Sequence, residues 1–214
     1  MKIILLGAPA SGKGTLTGNI KKEFSAAHIS TGDMLRDNIS RGTELGMKAK
    51  EYMDGGKLVP DELIIGLAKD RLMQDDCKEN FILDGFPRTI NQADALALML
   101  DELGISLDGV ININVPRDVL VSRITGRRVC PKCGASYHIE TMKSKVEGIC
   151  DECGSNLIHR DDDNEEVFGK RLNEYNEMTA PLIDYYKERN LLIDMPYIAD
   201  ANELFIEVKK ALGK

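Results

Sequence analysis

The segment with the clearest chemical purpose is the glycine-rich run Gly7-Ala8-Pro9-Ala10-Ser11-Gly12-Lys13-Gly14-Thr15. It lies between a strand pattern and a helix pattern, where backbone N–H groups can surround phosphate oxygens. Lys13 adds a mobile positive charge for the β and γ phosphates. The run therefore predicts a triphosphate site rather than a simple turn. Because Gly14 stands where Ser or Thr usually follows the lysine, direct Mg²⁺ ligation by Thr15 stays open.

A second phosphate-binding pattern follows the apolar residues 81–83, in the run Asp84-Gly85-Phe86-Pro87-Arg88. The pattern predicts a buried strand that delivers an aspartate and an arginine at its carboxyl end, where parallel α/β sheets place their ligand crevice. Asp84 can position Mg²⁺ through water, and Arg88 can hold a phosphate through two parallel hydrogen bonds.

Several arginines flank or follow residues 129–159: Arg123, Arg127, Arg128, Arg160 and Arg171. Planar, permanently charged guanidinium groups suit a site that stabilises charge on a transferring phosphoryl group. An acidic chain has no general need for such an accumulation. Arg128 is expected to be a structural ion-pair partner instead. Asp161 is expected in the acidic first turn of the helix that follows.

Four cysteines form two Cys-x-x-Cys pairs with sixteen residues between them: Cys130, Cys133, Cys150 and Cys153. This spacing is typical of a four-thiolate zinc site. Two disulfides are the competing interpretation, but a reduced cytosolic chain and the glycine after each pair favour zinc. Four sulfurs leave no open coordination position, so the metal is expected to be structural. Cys77 is expected in the core or at a helix end, and His138 and His159 are not needed as ligands.

The composition limits the class of protein. The 214 residues fit one α/β domain, with 35 acidic and 28 basic residues and a net charge of −7, which argues against nucleic acid as the main partner. No apolar run approaches the length of a membrane span. Because the chain runs from Met1 directly into a strand pattern, without a signal-peptide pattern, we expect a cytoplasmic protein with no membrane partner.

The elements that must position these groups alternate between strand and helix, as in a parallel sheet. Strands are predicted at residues 2–6, 81–83, 110–115 and 191–194. Helices are predicted at residues 13–25, 33–40, 45–53, 62–73, 90–103, 117–126 and 164–189, and from 202 onward. Residues 129–159 break the alternation and are predicted to form an insertion that closes over the carboxyl edge of the sheet.

Three motifs, the Gly-Lys-Gly-Thr loop, Ser30-Thr31-Gly32-Asp33 and Asp84-Gly85-Phe86-Pro87-Arg88-Thr89, resemble those of adenylate kinases in order and spacing. The likeness covers essentially the whole chain, and the cysteines resemble the zinc-bearing lid of the bacterial type. The resemblance implies a P-loop parallel β-sheet flanked by helices. It divides the chain into a core (1–29, 60–126 and 161–214), a helical NMP-binding segment (30–59) and a zinc lid (127–160).

The resemblance also implies a reaction and a set of site residues. The reaction is the reversible, Mg²⁺-dependent transfer of the terminal phosphoryl group of ATP to AMP, giving two ADP. Apart from the resemblance, we expect a monomer. The ATP site would comprise Ala10, Ser11, Gly12, Lys13, Gly14, Thr15, Arg123, Arg127, Ser136, Tyr137 and Ala199. The AMP site would comprise Thr31, Arg36, Lys57, Leu58, Val59, Gly85, Phe86, Pro87, Arg88, Gln92, Arg160 and Arg171. The catalytic groups would be Lys13, Asp84, Arg88, Arg123, Arg127, Arg160 and Arg171.

Some roles are more specific. The resemblance implies that Arg36 and Arg88 bind the phosphate of AMP. It also implies that the side chain of Gln92 and the backbone of residues 57–59 recognise its adenine base. Asp162 and Asp163 match an Arg-x-Asp-Asp element that holds the lid closed. Two positions depart from the family: Ala10 replaces a common glycine, and Leu16 replaces a frequent glutamine.

From the residues alone, alternatives remain. Thr31 is a plausible helix cap, and Tyr137 can equally pack inside the lid. Within enzymes, the rival is a kinase for UMP or CMP, or one with GTP as donor. From another class, the rival is a nucleotide-binding switch or a zinc-ribbon adaptor, which would need no acceptor site.

Overall fold

A five-stranded parallel sheet forms the centre of the computed structural model, which describes residues 1–214. Its strands are β1 (Lys2–Leu6), β2 (Ala27–Ser30), β3 (Phe81–Asp84), β4 (Gly109–Ile113) and β7 (Leu192–Met195). Their spatial order is β2-β3-β1-β4-β7. The chain passes from β1 to the edge strand β2, returns to β3 beside β1, and then crosses to β4 and β7 on the other side. Because β1 has strands of the two halves on its two sides, the crevice beyond its carboxyl end is a switch point of the topology.

Helices cover both faces of this sheet. They are α1 (Lys13–Phe24), α2 (Thr31–Ser40), α3 (Glu44–Asp54), α4 (Asp61–Leu72), α5 (Ile90–Glu102), α6 (Arg117–Gly126), α7 (Glu165–Glu174), α8 (Pro181–Glu188) and α9 (Ala201–Ala211). On one face, Ile4 and Leu83 pack in a core with residues of α4, α5 and α8. On the other face, Leu5 and Ile111 pack with residues of α1 and α9. Burial on both faces explains why the strands are continuously apolar.

The insertion forms a small separate layer. Its antiparallel hairpin consists of β5 (Arg127–Val129) and β6 (Ser136–His138). Cys130, Tyr137 and Cys150 are buried together in a core of their own. The prediction of an α/β fold with a small inserted subdomain is confirmed.

Three local expectations were wrong. Strand β2 was not predicted, because its four residues alternate between buried and half-buried positions at the sheet edge. The single helix expected at residues 164–189 is interrupted by a π-helical turn, Tyr175–Thr179, just before Pro181, where proline removes a backbone donor. Helix α7 begins at Glu165 with Asn164 as its N-cap, so the exposed Asp161 precedes the first turn.

Cys77 follows its prediction. It is fully buried at the end of the short 3₁₀ helix Asp75–Cys77. A hydrogen bond joins the Arg71 guanidinium to its sulfur at 2.9 Å. This cysteine therefore belongs to the core and lies apart from the other four.

Candidate active site

The glycine-rich loop connects β1 to α1 and is shaped by left-handed backbone positions. Gly7 has φ 144° and Gly12, the N-cap of α1, has φ 101°. A Cβ atom at Gly7 would lie 2.6 Å from Ser11 Oγ and 3.0 Å from the Ile113 carbonyl oxygen. Only glycine fits there, because the loop folds tightly against β4. Ala10 also has a positive φ, 65°, which explains why glycine suits this position.

Lys13 extends back along this loop. Its Nζ donates to the carbonyl oxygens of Gly7 at 2.7 Å and Ala8 at 3.0 Å, and to Ser11 Oγ at 3.4 Å. Burial lowers the pKa of Lys13 to about 8, and the neighbouring Asp84 opposes that shift. The loop thus concentrates an ammonium group and a helix N-terminus at one point, which suits a phosphate.

Asp84 ends β3 and lies beside the loop, because β1 and β3 are neighbours in the sheet. Its Oδ2 is 3.4 Å from Nε2 of His28 on β2. Burial alone would raise the pKa of Asp84, but the hydrogen bond with His28 and the charge of Lys13 hold it below its usual value. The carboxylate therefore stays ionised, which suits a water-mediated Mg²⁺ contact. Thr15 is half-buried on the first turn of α1.

The segment after Asp84 holds Arg88 in place. Arg88 Nε donates to the Gly85 carbonyl at 2.9 Å, and Thr31 Oγ1 donates to the same oxygen at 2.8 Å. Phe86 and Pro87 are buried beneath it. Thr31 is not the helix cap, since Ser30 caps α2 by accepting from Asp33 N. The arginine is thus fixed at the carboxyl end of β3, next to the glycine-rich loop.

Asp33 brings together two arginines from distant parts of the chain. Its Oδ1 is 2.7 Å from Nη2 of Arg36 and 3.3 Å from Nη2 of Arg160. Arg160 lies at the end of the insertion, so this carboxylate joins the insertion to α2. A second contact joins residues 30–59 to α7, because the Leu58 N–H donates to Glu174 Oε1 at 3.3 Å.

Gln92 is buried, and both ends of its amide are bonded. Its Oε1 accepts from the Arg88 N–H at 2.7 Å, and its Nε2 donates to Asp61 Oδ1 at 2.6 Å. Asp61 Oδ2 also accepts from Thr89 Oγ1. In this structure Gln92 therefore positions Arg88, and its predicted contact with adenine would require an exchange of these bonds. Nearby Val59 is buried, and Lys57 is exposed.

Carboxylates organise the remaining arginines. Arg127 and Asp163 form a two-bond pair in which Nε lies 2.7 Å from Oδ2, and Asp163 is completely buried. Arg171 Nη1 lies 2.8 Å from Asp162 Oδ2. On the other side, Arg123 Nη1 donates to the Ser11 carbonyl at 3.2 Å.

The pKa shifts of two of these arginines reflect the nearness of the others. Burial, together with the charges of Arg36 and Arg127, lowers the pKa of Arg160 to about 10. Burial also lowers the pKa of Arg171 to about 10, with Arg127 and Arg88 adding to the effect. Guanidinium groups that repel one another around the end of a phosphate loop form a strongly anion-attracting cleft.

Other predicted residues lie outside this cluster. Ser136 is half-buried on β6, and Ala199 is exposed in the loop before α9. The Tyr137 ring packs inside the insertion, where its hydroxyl accepts from the Asp151 N–H at 2.8 Å. Arg128 forms no ion pair and donates to the Arg127 carbonyl at 2.7 Å, so its expected structural salt bridge was wrong.

Three residues around the site were not predicted: His28, Asp61 and Glu174. Their partners are 56, 31 and 116 positions away in sequence, respectively. No local spacing marks them, although the missed strand β2 would have placed His28 next to Asp84.

The four cysteines meet at one point in the insertion. All four sulfur atoms lie within 4.8 Å of one another. The distance is 3.4 Å between the sulfurs of Cys130 and Cys153, and 3.5 Å between those of Cys133 and Cys150. Tetrahedral coordination with bonds of about 2.3 Å places sulfurs about 3.8 Å apart, so the set fits a zinc ion.

The two pairs are built alike. Gly134 N–H donates to the Cys130 carbonyl at 3.0 Å, and Gly154 N–H to the Cys150 carbonyl at 2.9 Å. Hydrogen bonds from the Ser155 side chain and backbone lower the pKa of the Cys153 thiol to about 6, which favours the thiolate form that binds metal. The His138 ring is used elsewhere, because its Nε2 contacts the Ser122 carbonyl at 3.2 Å.

A glycine-rich loop on the central strand, an arginine on the next strand and a cluster of arginines above both are the features of a P-loop phosphotransferase. A family model described as adenylate kinase matches residues 5–191. Three proteins named adenylate kinase, from Caldicellulosiruptor bescii, Carboxydothermus hydrogenoformans and Clostridioides difficile, are 54%, 52% and 51% identical to the chain. Each alignment covers 100% of this chain and at least 99% of the relative. The chain belongs to the adenylate kinase family.

None of the nine α-helices is both long enough and apolar enough to cross a membrane.

Proposed function

We infer that the protein catalyses the reversible transfer of the terminal phosphoryl group of ATP to AMP, giving two ADP. One observation carries the mechanism. Arg88, Arg127, Arg160 and Arg171 come from four different segments, yet the charge of Arg127 contributes to the lowered pKa of both Arg160 and Arg171, and the charge of Arg88 contributes to that of Arg171. Such a gathering of guanidinium groups suits a site that binds more than one phosphate.

The donor and acceptor would lie on opposite sides of β1. We propose that residues 10–15 bind the triphosphate of ATP, and that Arg36 and Arg88 bind the phosphate of AMP. An oxygen of that phosphate attacks the terminal phosphorus of ATP, the bond to the bridging oxygen breaks, and ADP leaves. Lys13, Arg123, Arg127, Arg160 and Arg171 would stabilise the charge on the transferring group.

Magnesium is proposed to enter with ATP, where it would neutralise the β and γ phosphates. Asp84 is ionised and adjacent to Lys13, and would hold the ion through water. The hydroxyl of Thr15 is the other candidate oxygen ligand for the ion, although Thr15 lies one position after the usual site of this Ser or Thr. The charge of Asp84 also favours the charged form of Lys13.

Residues 30–59 and 127–160 are proposed to be mobile segments that close over the nucleotides and exclude water, which would otherwise accept the phosphoryl group. The contacts Arg160–Asp33 and Leu58–Glu174 support this proposal, since they join these segments to each other and to α7. We further propose a monomeric, cytoplasmic enzyme.

The direct test is a coupled assay of ADP formation from ATP, with AMP, CMP, UMP or GMP as acceptor and with or without Mg²⁺. We expect Mg²⁺-dependent turnover with AMP alone. Turnover with another acceptor would instead identify a sister kinase. No transfer to any acceptor would contradict the proposed reaction and favour a nucleotide-binding switch.

Removal of zinc is expected to destabilise the lid. One zinc ion per chain should be bound, and chelation or Cys150→Ser should lower the Tm by about 5 °C or more, because a structural zinc site adds its binding energy to folding. Differential scanning calorimetry with metal analysis measures both quantities.

A matched control is Cys77→Ser, which should keep one equivalent of zinc. Thiol titration separates zinc from disulfides, because all five cysteines react after denaturation in chelator if zinc was bound. A single reactive thiol, or an unchanged Tm after metal removal, would contradict a structural zinc site.

Affinity for ATP is expected to fall as the pH rises above about 8. Lys13 must be charged to bind phosphate, and the pKa of about 8 in the free protein means that the charge is lost above this pH. Bound phosphate raises that pKa, so binding takes up a proton and weakens by up to about tenfold per pH unit.

Isothermal titration calorimetry from pH 7.5 to 9.5, where the ATP phosphates are already fully ionised, measures this dependence. Lys13→Met should bind weakly and show little change over the same range. A wild-type affinity that is constant with pH would contradict the assignment of Lys13.

A further inference from the structure

A half-buried carboxylate, that of Asp61, lies behind the segment that carries Arg88. Asp61 is the first residue of α4. Its Oδ1 accepts from Gln92 Nε2 at 2.6 Å, and its Oδ2 accepts from Thr89 Oγ1 and from Asn91 Nδ2, each at 2.9 Å. All three donors are uncharged side chains. Asp61 therefore gathers three of the four residues that follow Arg88 in the chain.

The carboxylate decides which way the Gln92 amide faces. A carboxylate can only accept hydrogen bonds, so the amide NH₂ group must face Asp61 and the amide oxygen must face away from it. That oxygen accepts from the Arg88 N–H at 2.7 Å. Because Gln92 is only 1% exposed, water has little access to either bond. Asp61 therefore holds the Arg88 backbone through Gln92.

A second path from Asp61 reaches the residue after Arg88. The Thr89 hydroxyl donates its proton to Asp61, so its lone pairs are left for the Gln92 N–H, which lies 3.1 Å away. This bond makes Thr89 the N-cap of α5. One carboxylate thus sets the direction of the hydrogen bonds that fix the chain at Arg88 and at Thr89.

Asp61 also lies two positions beyond residues 30–59, the segment proposed to close over the nucleotides. The last residue of that segment, Val59, is buried and packs in the core on one face of the sheet. The carboxylate therefore ties this anchored end of the segment to Arg88. A guanidinium grips a phosphate through two bonds only when its backbone is correctly placed, and small displacements in such a site are costly.

We propose that Asp61 is a positioning residue of the AMP site, which places Arg88 for the AMP phosphate by fixing the Gln92 amide. The proposal rests on the proposed function, because it takes Arg88 as a ligand of that phosphate. It requires a hydrogen-bond acceptor at both oxygens of Asp61. The amide in Asp61→Asn has the same shape but carries hydrogens at one end, where they would face a donor. The ATP site on the glycine-rich loop should be independent of this residue.

The first test compares Asp61→Asn with the wild type by NMR titration. The ligands are AMP and ribose 5-phosphate, which carries the phosphate but no base. Both Kd values should rise by about tenfold, as expected for loss of one hydrogen bond to a charged group, and the Kd for ATP should stay constant. Glu62 provides the matched control, because it is an exposed carboxylate in the same first turn of α4. Glu62→Gln should leave all three Kd values unchanged.

The second test exchanges the two functional groups. In Gln92→Glu a second carboxylate faces Asp61, so the affinity for ribose 5-phosphate should fall. In the double variant Asp61→Asn with Gln92→Glu, the amide at position 61 can donate to the carboxylate at position 92, whose other oxygen accepts from the Arg88 N–H. The network is then complete again, and the Kd for ribose 5-phosphate should return close to the wild-type value. This ligand has no base, so a base contact of residue 92 does not affect the comparison.

Unchanged Kd values in Asp61→Asn would overturn the proposal. Weaker binding of AMP alone would also overturn it, because the effect would then act on the base and not through Arg88. The same holds for equal weakening of ATP, and for a double variant that binds ribose 5-phosphate no better than Asp61→Asn does. Failure of the kinase reaction itself would appear separately, as absence of ADP formation by the wild-type protein.

Discussion

Replacement of Arg88 by lysine is expected to lower kcat/KM for phosphoryl transfer to AMP by about 10²- to 10³-fold, the loss typical of removing one well-placed donor in a transition state. Three bonds hold the Arg88 segment: its Nε to the Gly85 carbonyl, its N–H to Gln92 and its carbonyl to the Thr179 hydroxyl. The remaining guanidinium nitrogens form a fork that can grip two phosphate oxygens, and a lysine ammonium cannot reproduce it.

Steady-state kinetics with AMP and ATP varied separately measure this effect. The matched control is Arg41→Lys, because Arg41 is exposed and its guanidinium contacts only Asp37 and Asn38 on the preceding helical turn. The kinetics of this variant should be those of the wild type. A Tm within a few degrees of wild type for Arg88→Lys separates lost catalysis from unfolding. Near-normal kcat/KM in that variant would refute the role of Arg88.

The second large effect is expected at Asp163. This carboxylate is completely buried and holds Arg127 through two hydrogen bonds, while Arg171 lies 3.7 Å away. Asp163→Ala leaves these cations without their buried partner, which typically costs about 3–5 kcal/mol of the free energy of unfolding. Arg127 would also lose its orientation, so activity should fall as well.

Urea unfolding measures the stability change, and the neighbouring exposed Asp161 provides the control. Asp161→Ala should change the free energy of unfolding by less than about 0.5 kcal/mol. The double variant Asp163→Ala with Arg127→Ala should cost less than the sum of the two single changes, because each single change leaves one charge unpaired. An Asp163→Ala protein as stable as Asp161→Ala would contradict a structural pair.

Several parts of this protein are encoded within short stretches of its sequence. The glycine-rich loop, the run from Asp84 to Arg88 and the two cysteine pairs each depend on spacings of a few residues. Backbone conformation and ligand geometry dictate those spacings locally, as the positive φ at Gly7 and the paired turns at Gly134 and Gly154 illustrate. Apart from strand β2, the alternation of strands and helices in the central sheet followed from the same kind of local pattern.

Tertiary structure decided which of these groups work together. Arg127 meets Asp163, Arg160 meets Asp33, and Gln92 is held by Asp61, through contacts between residues 31 to 127 positions apart. Such partners are selected by chain topology and by burial, which leave no mark in the local pattern.

Tertiary contacts also explain why the expectations for strand β2 and for Arg128 were wrong. Strand β2 exists because β3 provides its partner, and Arg128 faces away from the carboxylates because neighbouring residues on a strand point to opposite sides. Sequence alone therefore determined the chemistry that the chain carries, namely phosphate binding, guanidinium groups and a thiolate centre. The fold determined that the phosphate loop and the arginines share one cleft, because only packing of distant segments brings like charges together.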